Sequence, residues 1–235
     1  MDSLKFLAVI PARYASTRFP GKPLARLGGE PVIRYVWKQV TQVFADAAVA
    51  TDDPRIYDAV EAFGGRAVMT SPDHRSGTDR CREAVDKLGG DPDVIVNVQG
   101  DEPFIAPSQL QAIARCFDDP STDIATLVVL GSAGQALYFS RSVIPYLRGV
   151  PREEWLARHT FYKHIGMYAF RRETLYKVTA LPQSALERAE SLEQLRWLEN
   201  GFRIRAGISD VETIGIDTPE DLAKAEEFLK LKTKN

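Results

Sequence analysis

Apolar residues run almost without interruption from Leu4 to Ile10 and stop at Pro11. Continuity rather than alternation predicts a strand covered on both faces, as in parallel sheets, and Pro11 has no N–H to offer a ladder. Val32, Ile33, Val36, Trp37, Val40, Val43 and Phe44 then recur at helical spacing. The pattern continues as a strand at 47–51, a helix at 56–63 closed by Gly64-Gly65, a short strand at 66–70, a helix at 78–88 ended by Gly89-Gly90, a β-branched strand at 94–98 and a helix at 107–117. Strand and helix alternate, which predicts an α/β fold: a mostly parallel central sheet with helices on both faces. The second half is less regular. Strands are expected at 124–130, 136–139, 164–170, 203–208 and 212–216, a polar flap at 148–158 and a helix at 186–199. Thr218-Pro219-Glu220-Asp221 opens the last helix with a capping hydroxyl, a proline suited to the first turn and two acids that favour the helix dipole.

With 235 residues and no internal repeat or Pro/Gly/Ser-rich linker, one domain over 1–235 is the simplest organisation. Thirty basic against 32 acidic residues give no support for a nucleic-acid or membrane partner. The distribution says more than the total: Met1 to Lys38 holds seven basic residues and only two acidic ones, Asp2 and Glu30. Cys81 and Cys116 have no CxxC neighbour, so neither a structural zinc nor a disulfide framework is expected. The N-terminal apolar run lacks an A-x-A cleavage site, and no run approaches the roughly 18 apolar residues of a membrane span. Together these predict a soluble, cytoplasmic protein.

The basic residues fall in a meaningful place. Arg13, Arg18 and Lys22 are spaced along Ala12-Arg13-Tyr14-Ala15-Ser16-Thr17-Arg18-Phe19-Pro20-Gly21-Lys22, directly after the first strand. Ligands of open α/β sheets bind outside the carboxyl ends of strands, and a triphosphate needs several cations with hydroxyl and backbone donors around it. This is not a G-x-x-x-x-G-K-[ST] loop, and no G-x-G-x-x-G follows any strand, which disfavours a dinucleotide-dependent dehydrogenase. Asp91-Pro92-Asp93 precedes a strand rather than following one, and no Ser-His-Asp or Cys-His arrangement is evident. Asp101 and Asp217 sit just past two predicted strands, where two carboxylates can meet and, with substrate phosphates, hold Mg²⁺. By position alone, Asp101 also reads as a turn residue and Asp217 as the neighbour of a helix cap. Thr51 and Asp52 read either as a cap or as pocket lining, and Asp73 to Arg80 as a capping loop or a base-reading one. His164 and Tyr168, four apart, share one face of a strand.

Four stretches carry a resemblance that spans nearly the whole chain: Ile10 to Leu24, Asp73-His74-Arg75-Ser76-Gly77-Thr78-Asp79-Arg80, Asn97-Val98-Gln99-Gly100-Asp101-Glu102-Pro103 and Gly215-Ile216-Asp217-Thr218-Pro219-Glu220-Asp221-Leu222. With Ala136 to Ser142 and Ser191 to Arg196, they stand in the order found in the 3-deoxy-manno-octulosonate (Kdo) cytidylyltransferases, which this sequence resembles. The resemblance implies a Rossmann-like three-layer sandwich of the nucleotide-diphospho-sugar transferase type. It implies a homodimer, with a small flap or dimerisation region around 131–170, and transfer of CMP from CTP to Kdo for lipopolysaccharide synthesis. It further implies Asp101 and Asp217 as Mg²⁺ ligands, and a nucleotide site of Ala12, Arg13, Lys22, Thr51, Asp52, His74, Arg75, Ser76 and Gln99. Gln99, Arg141, His164, Tyr168, Glu193 and Gln194 match its acid-sugar positions, and Arg13, Arg18, Lys22, Asp101 and Asp217 would carry the chemistry. The match departs at one place. Between 124–129 and 136–141 the family carries a longer segment, and here only Leu130 to Gln135 intervenes.

Overall fold

Leu7 to Ile10 are almost wholly buried, as the unbroken apolar run requires. In the computed structural model, which describes residues 4–129, 134–211 and 214–232, β1 (Phe6–Ala12) is followed by a hairpin, β2 (Arg26–Leu27) and β3 (Glu30–Pro31), and then by α1 (Val32–Thr41), β4 (Ala47–Thr51), α2 (Pro54–Ala62), β5 (Ala67–Met69), α3 (Gly77–Leu88) and β6 (Val94–Asn97). β1 pairs in parallel with β4 on one side and β6 on the other, and β4 pairs in parallel with β5. The chain divides into two compact units, Met1–Gln111 with Thr213–Asn235, and Ala112–Glu212. In the first, the carboxyl ends of β1, β4 and β6 release the loops that carry Arg13 to Lys22, Asp52 and Gln99 to Asp101.

Helix α4 (Pro107–Arg115) leads into the second unit. There follow β7 (Ile124–Val129), β8 (Gly134–Gln135), α5 (Trp155–Arg158), β9 (Lys163–Arg171), α6 (Arg172–Thr179), α7 (Ala185–Glu190), α8 (Glu193–Glu199) and β10 (Ile204–Ser209). β7 pairs in parallel with β10 and antiparallel with β9, and β8 pairs antiparallel with β10. Phe170 and Trp197 are fully buried and meet edge to face at 5.1 Å. The chain returns to the first unit for α9 (Pro219–Lys232). The α/β class and the predominance of parallel pairing hold as expected.

Some boundaries differ from the pattern-based expectation. The helix expected over 186–199 is two helices, because Ser191 adopts a left-handed conformation (φ 51°) and ends α7. A capping box of Ser184 and Glu187 opens α7. The strand expected at 136–139 lies at Gly134–Gln135 instead, where Ala206 and Arg205 pair with it. Residues 214–216 are not in a strand, and the first two positions of the strand expected at 212–216 lie outside the described residues. Leu130 to Ala133, in the short central segment, also lie outside them. Helix α6 was not anticipated: Arg172, Glu173 and Lys177 break its apolar spacing, and it buries only two apolar residues, Leu175 and Val178, beside Thr174.

Candidate active site

The loop after β1 is folded back on itself by a tyrosine. The Tyr14 carbonyl accepts from the Gly21 and Ser16 amides at 2.8 and 2.9 Å. Gly21 has φ 72°, and a Cβ there would come within 2.9 Å of the Tyr14 ring, so glycine is required both for backbone and for space. The Arg55 guanidinium lies 3.4 Å over the centroid of the same ring, in reach of a strong cation–π contact. Lys22 follows Gly21 at the start of a short 3₁₀ turn over Lys22–Leu24, which aims its ammonium back toward the end of β6.

There it meets both carboxylates. Lys22 Nζ pairs closely with Asp101 and lies 3.1 Å from Asp217 Oδ1, while Arg18 Nη2 lies 3.0 Å from Asp217 Oδ2. The two acids converge because the Ile216 amide donates to the Asp101 carbonyl at 2.8 Å. Ile216 is itself fully buried with Leu27, Val32, Phe104 and Ala225. Phe104 and Phe228 meet edge to face at 4.8 Å and pin α9 beneath the pair. On the other flank of α9's start, Thr218 and Asp221 cap each other: Asp221 N donates to Thr218 Oγ1 at 3.2 Å, and Thr218 N donates to Asp221 Oδ2 at 3.1 Å.

Beside this cluster lies a cavity of about 210 Å³, lined by Ala12, Arg13, Lys22, His74 to Gly77, Arg80 and Gln99 to Asp101, among others. The N-terminus of α3 opens into it, a favourable place for an anion. Ser76 caps that helix by accepting from Asp79 N at 3.1 Å. His74 Nε2 is paired closely with Glu83. Burial would raise the Glu83 carboxyl, but Lys87, the Ser71 amide and His74 outweigh it and bring the pKa down to about 2. His74 therefore faces a carboxylate that stays ionised. Thr51 and Asp52 are not among the lining residues. Thr51 Oγ1 accepts from Asp53 N at 3.2 Å. Asp52 pairs with Arg80 at 2.9 Å, and Arg80 is 4% exposed. Replacing Asp52 with Asn leaves that buried guanidinium without its counter-charge, and should cost about 3 kcal/mol in urea unfolding. A loss below about 0.5 kcal/mol would mean that the pair does not hold the cavity wall.

The acid-sugar positions other than Gln99 lie in the second unit. The ring centroids of His164 and Tyr168 are 5.4 Å apart. Four residues along a regular strand would separate them by about 13 Å, but β9 is bulged. Thr126 stands opposite Tyr168 and Leu127 opposite Ile165, so Gly166 and Met167 are looped out of the ladder. The bulge gathers the two rings onto neighbouring positions of one face. Burial holds the His164 imidazole neutral, with its pKa down at about 4, and pushes the Tyr168 phenol up, aided by Glu193. Glu193 is fixed by Arg196 at 2.8 Å, and Arg196 is held in turn by Glu187 at 3.4 Å and the Leu181 carbonyl at 2.9 Å. Gln194 is buried. Arg141 donates to the carbonyls of Glu190 and Ser191 at 2.7 and 2.9 Å, which seats it at the break between α7 and α8.

Comparison with known proteins decides what this arrangement belongs to. A family model described as cytidylyltransferase matches residues 7–130 and 117–214. The 3-deoxy-manno-octulosonate cytidylyltransferase of Bacteroides thetaiotaomicron is 63% identical, over 97% of this chain and 99% of its own. That of Porphyromonas gingivalis is 54% identical, over 95% and 96%. The chain belongs to the 3-deoxy-manno-octulosonate cytidylyltransferase family. Membership makes this cytidylyltransferase a nucleotidyltransferase. A solved structure of CMP:2-keto-3-deoxy-manno-octonic acid synthetase complexed with CTP matches it with a TM-score of 0.89 at 41% identity, covering 97% of this chain and 99% of that one. A 4-diphosphocytidyl-2C-methyl-D-erythritol synthase from Anaerococcus prevotii, 15% identical with a TM-score of 0.65, shares the fold. The Bacteroides alignment runs over 247 positions against the 235 residues of this cytidylyltransferase, so that relative has residues this chain lacks.

Four residues of the clusters escaped sequence reading. Arg80 stood inside a quoted motif, but nothing in spacing showed that it would be buried against Asp52. Glu83 and Lys87 follow His74 on α3, and an i,i+4 acid–base pair ordinarily marks a solvated helix face; here the pair anchors His74. Thr126 lies in a run of strand residues, where a threonine needs no further explanation.

Proposed function

We infer that this chain transfers CMP from CTP to the anomeric hydroxyl of Kdo, giving CMP-Kdo and pyrophosphate. The observation that carries the reading is the meeting of Asp101 and Asp217 on one ammonium beside a cavity lined by cations, a helix N-terminus and Gln99. In that displacement the sugar oxygen bonds to the α-phosphorus as the bond to the pyrophosphate oxygen breaks. Arg13 and Lys22 line the cavity and would hold the phosphates and balance charge on the leaving pyrophosphate, with Arg18 close by. Gln99, His74, Arg75 and Ser76 surround the space left for the nucleoside. Positioning and electrostatics suffice for such a transfer, and no covalent enzyme intermediate is needed.

The carboxylate pair fits a divalent cation. Two hard oxygen donors converge on one point, where a stand-in cation, the Lys22 ammonium, holds them together. Asp101 and Asp217 would hold Mg²⁺, which when bound would neutralise charge at the α-phosphate and favour the attacking hydroxyl. Lys22 would then exchange the carboxylates for phosphate oxygens.

The reaction supplies an activated acid sugar for lipopolysaccharide synthesis. We place it in the cytoplasm, in keeping with a chain whose two cysteines, Cys81 and Cys116, are both buried and form no disulfide; activity confined to a membrane or extracellular fraction would contradict this. We further propose a homodimer joined through the 131–170 region. Leu137, Tyr146 and Leu156 there are 91%, 75% and 83% exposed, unusual for large apolar side chains that stay in water. A monomer mass in sedimentation would rule it out.

The test of substrate is pyrophosphate release from CTP and Mg²⁺ in parallel with Kdo, 8-amino-Kdo, sialic acid and no sugar. Release with Kdo alone is expected. Release only with another acid sugar would keep the phosphate site and overturn the acceptor, and no release with any would point to a nucleotide-binding protein without turnover.

A further inference from the structure

Thr126 sits where β9 is bulged, and its hydroxyl lies 2.8 Å from the Met167 carbonyl, 3.3 Å from the Ile165 carbonyl and 2.8 Å from His164 Nε2. A hydroxyl has one hydrogen, and a carbonyl oxygen can only accept. The Thr126 hydrogen is therefore committed to the bulge carbonyls, the Met167 oxygen being the nearer. Toward His164 the same oxygen can only accept, so Nε2 must carry a hydrogen. In a neutral imidazole the other nitrogen, Nδ1, is then a bare acceptor. Among the described residues no hydrogen-bond partner meets Nδ1. Phe139 and Tyr168 flank the ring with centroids at 4.9 and 5.4 Å, so the ring cannot turn freely to exchange its two edges.

We propose that Thr126 is a positioning residue for the acid-sugar site: anchored on the bulge, it fixes His164 as the Nε2–H tautomer and leaves Nδ1 to accept a hydrogen bond from a sugar hydroxyl. The consequence for recognition is directional. An acceptor in a half-buried aromatic slot matches an O–H donor and repels a carboxylate or keto oxygen. His164 therefore reads the polyhydroxyl edge of the substrate, and the carboxylate must be met elsewhere. The bulge and the tautomer are one device: the two looped-out residues that gather His164 beside Tyr168 also expose the carbonyl that orients Thr126. The sugar-binding half of this inference rests on the Kdo reading above, whereas the tautomer does not.

The test uses two readouts. Long-range ¹H–¹⁵N correlation spectra of the ¹⁵N-labelled, sugar-free enzyme near neutral pH, with His164 assigned by its loss in His164→Gln, report the tautomer directly. Expected is an imine-type Nδ1 and a protonated Nε2 in the wild type, and a mixed or reversed pattern in Thr126→Val. Thr126→Ser, which keeps the hydroxyl, should restore the wild-type pattern. In the transfer assay, Thr126→Val should raise the KM for the acid sugar about tenfold, the worth of one hydrogen bond, with kcat and the KM for CTP within about twofold. A protonated Nδ1 or an imidazolium in the wild type would overturn the tautomer. A correct tautomer with an unchanged sugar KM in Thr126→Val would overturn the sugar contact. If Kdo itself is not turned over, that failure shows in the acceptor panel while the spectra still decide the role of Thr126.

Discussion

Replacing Asp101 with Asn is expected to lower CMP transfer by about 10³-fold or more while hardly moving the urea midpoint. The side chain keeps its size and loses only its charge. In the free protein the lost ion pair does not strand Lys22, because Asp217 remains 3.1 Å from the same ammonium. The stability cost should therefore stay within about 1 kcal/mol, the range of partly exposed pairs. In the transition state the position matters far more. A preorganised charge aimed at a reacting phosphate is worth on the order of 10²–10³ in kcat, and half of the proposed cation site goes with it. The measurement is kcat together with the Mg²⁺ concentration for half-maximal rate, which should rise sharply. A variant with near wild-type kcat and unchanged Mg²⁺ dependence would remove Asp101 from the chemistry.

The second large effect comes from a residue with no side chain. A Cβ on Gly100 would lie 2.7 Å from the Pro11 carbonyl oxygen, 3.4 Å from Ile33 Cδ1 and 3.6 Å from Ala12 Cβ. The closest of these is backbone at the end of β1, which cannot rotate away. Gly100→Ala must therefore part the loop after β6 from β1, carrying Asp101 with it and loosening the Ile216 amide on the Asp101 carbonyl. The overpacking should cost about 2 kcal/mol, and a displacement of about 1 Å at the carboxylate should lower kcat by roughly 10². Gly166→Ala is the control. Nothing lies within 4 Å of its Cβ, and both quantities should stay near wild type. Equal effects of the two substitutions would show that the close approach to Pro11 is not what Gly100 provides.

Much of this architecture could be read from residue order. The nearly continuous apolar run at Leu4 to Ile10 and the β-branched run at Val94 to Val98 announced buried parallel strands, and the cations after the first of them announced an anion site. The approach of Asp217 to Asp101 was harder to see, since it depends on one backbone hydrogen bond from Ile216 and on the burial of Ile216 with Leu27 and Phe104. Position in sequence pointed instead to a helix-cap neighbour, and Asp217 is indeed one residue before the Thr218–Asp221 cap. The break at Ser191 was hidden because Leu, Trp and charged residues continue at helical spacing across it. The bulge in β9 was hidden for a different reason: Gly166 is the sole local sign of it, and a period-two pattern does not reveal two residues looped out together. His164 and Tyr168 were placed on one face correctly, but their contact is a product of the bulge.

The most direct test of the account is the metal dependence of pyrophosphate release from CTP and Kdo by the wild type, titrated with Mg²⁺ from a chelated start. The account predicts no release at zero Mg²⁺, saturable release as it is added and none when Kdo is left out. Full release under chelator would contradict it, since Asp101 and Asp217 would then meet on Lys22 for the sake of the fold alone.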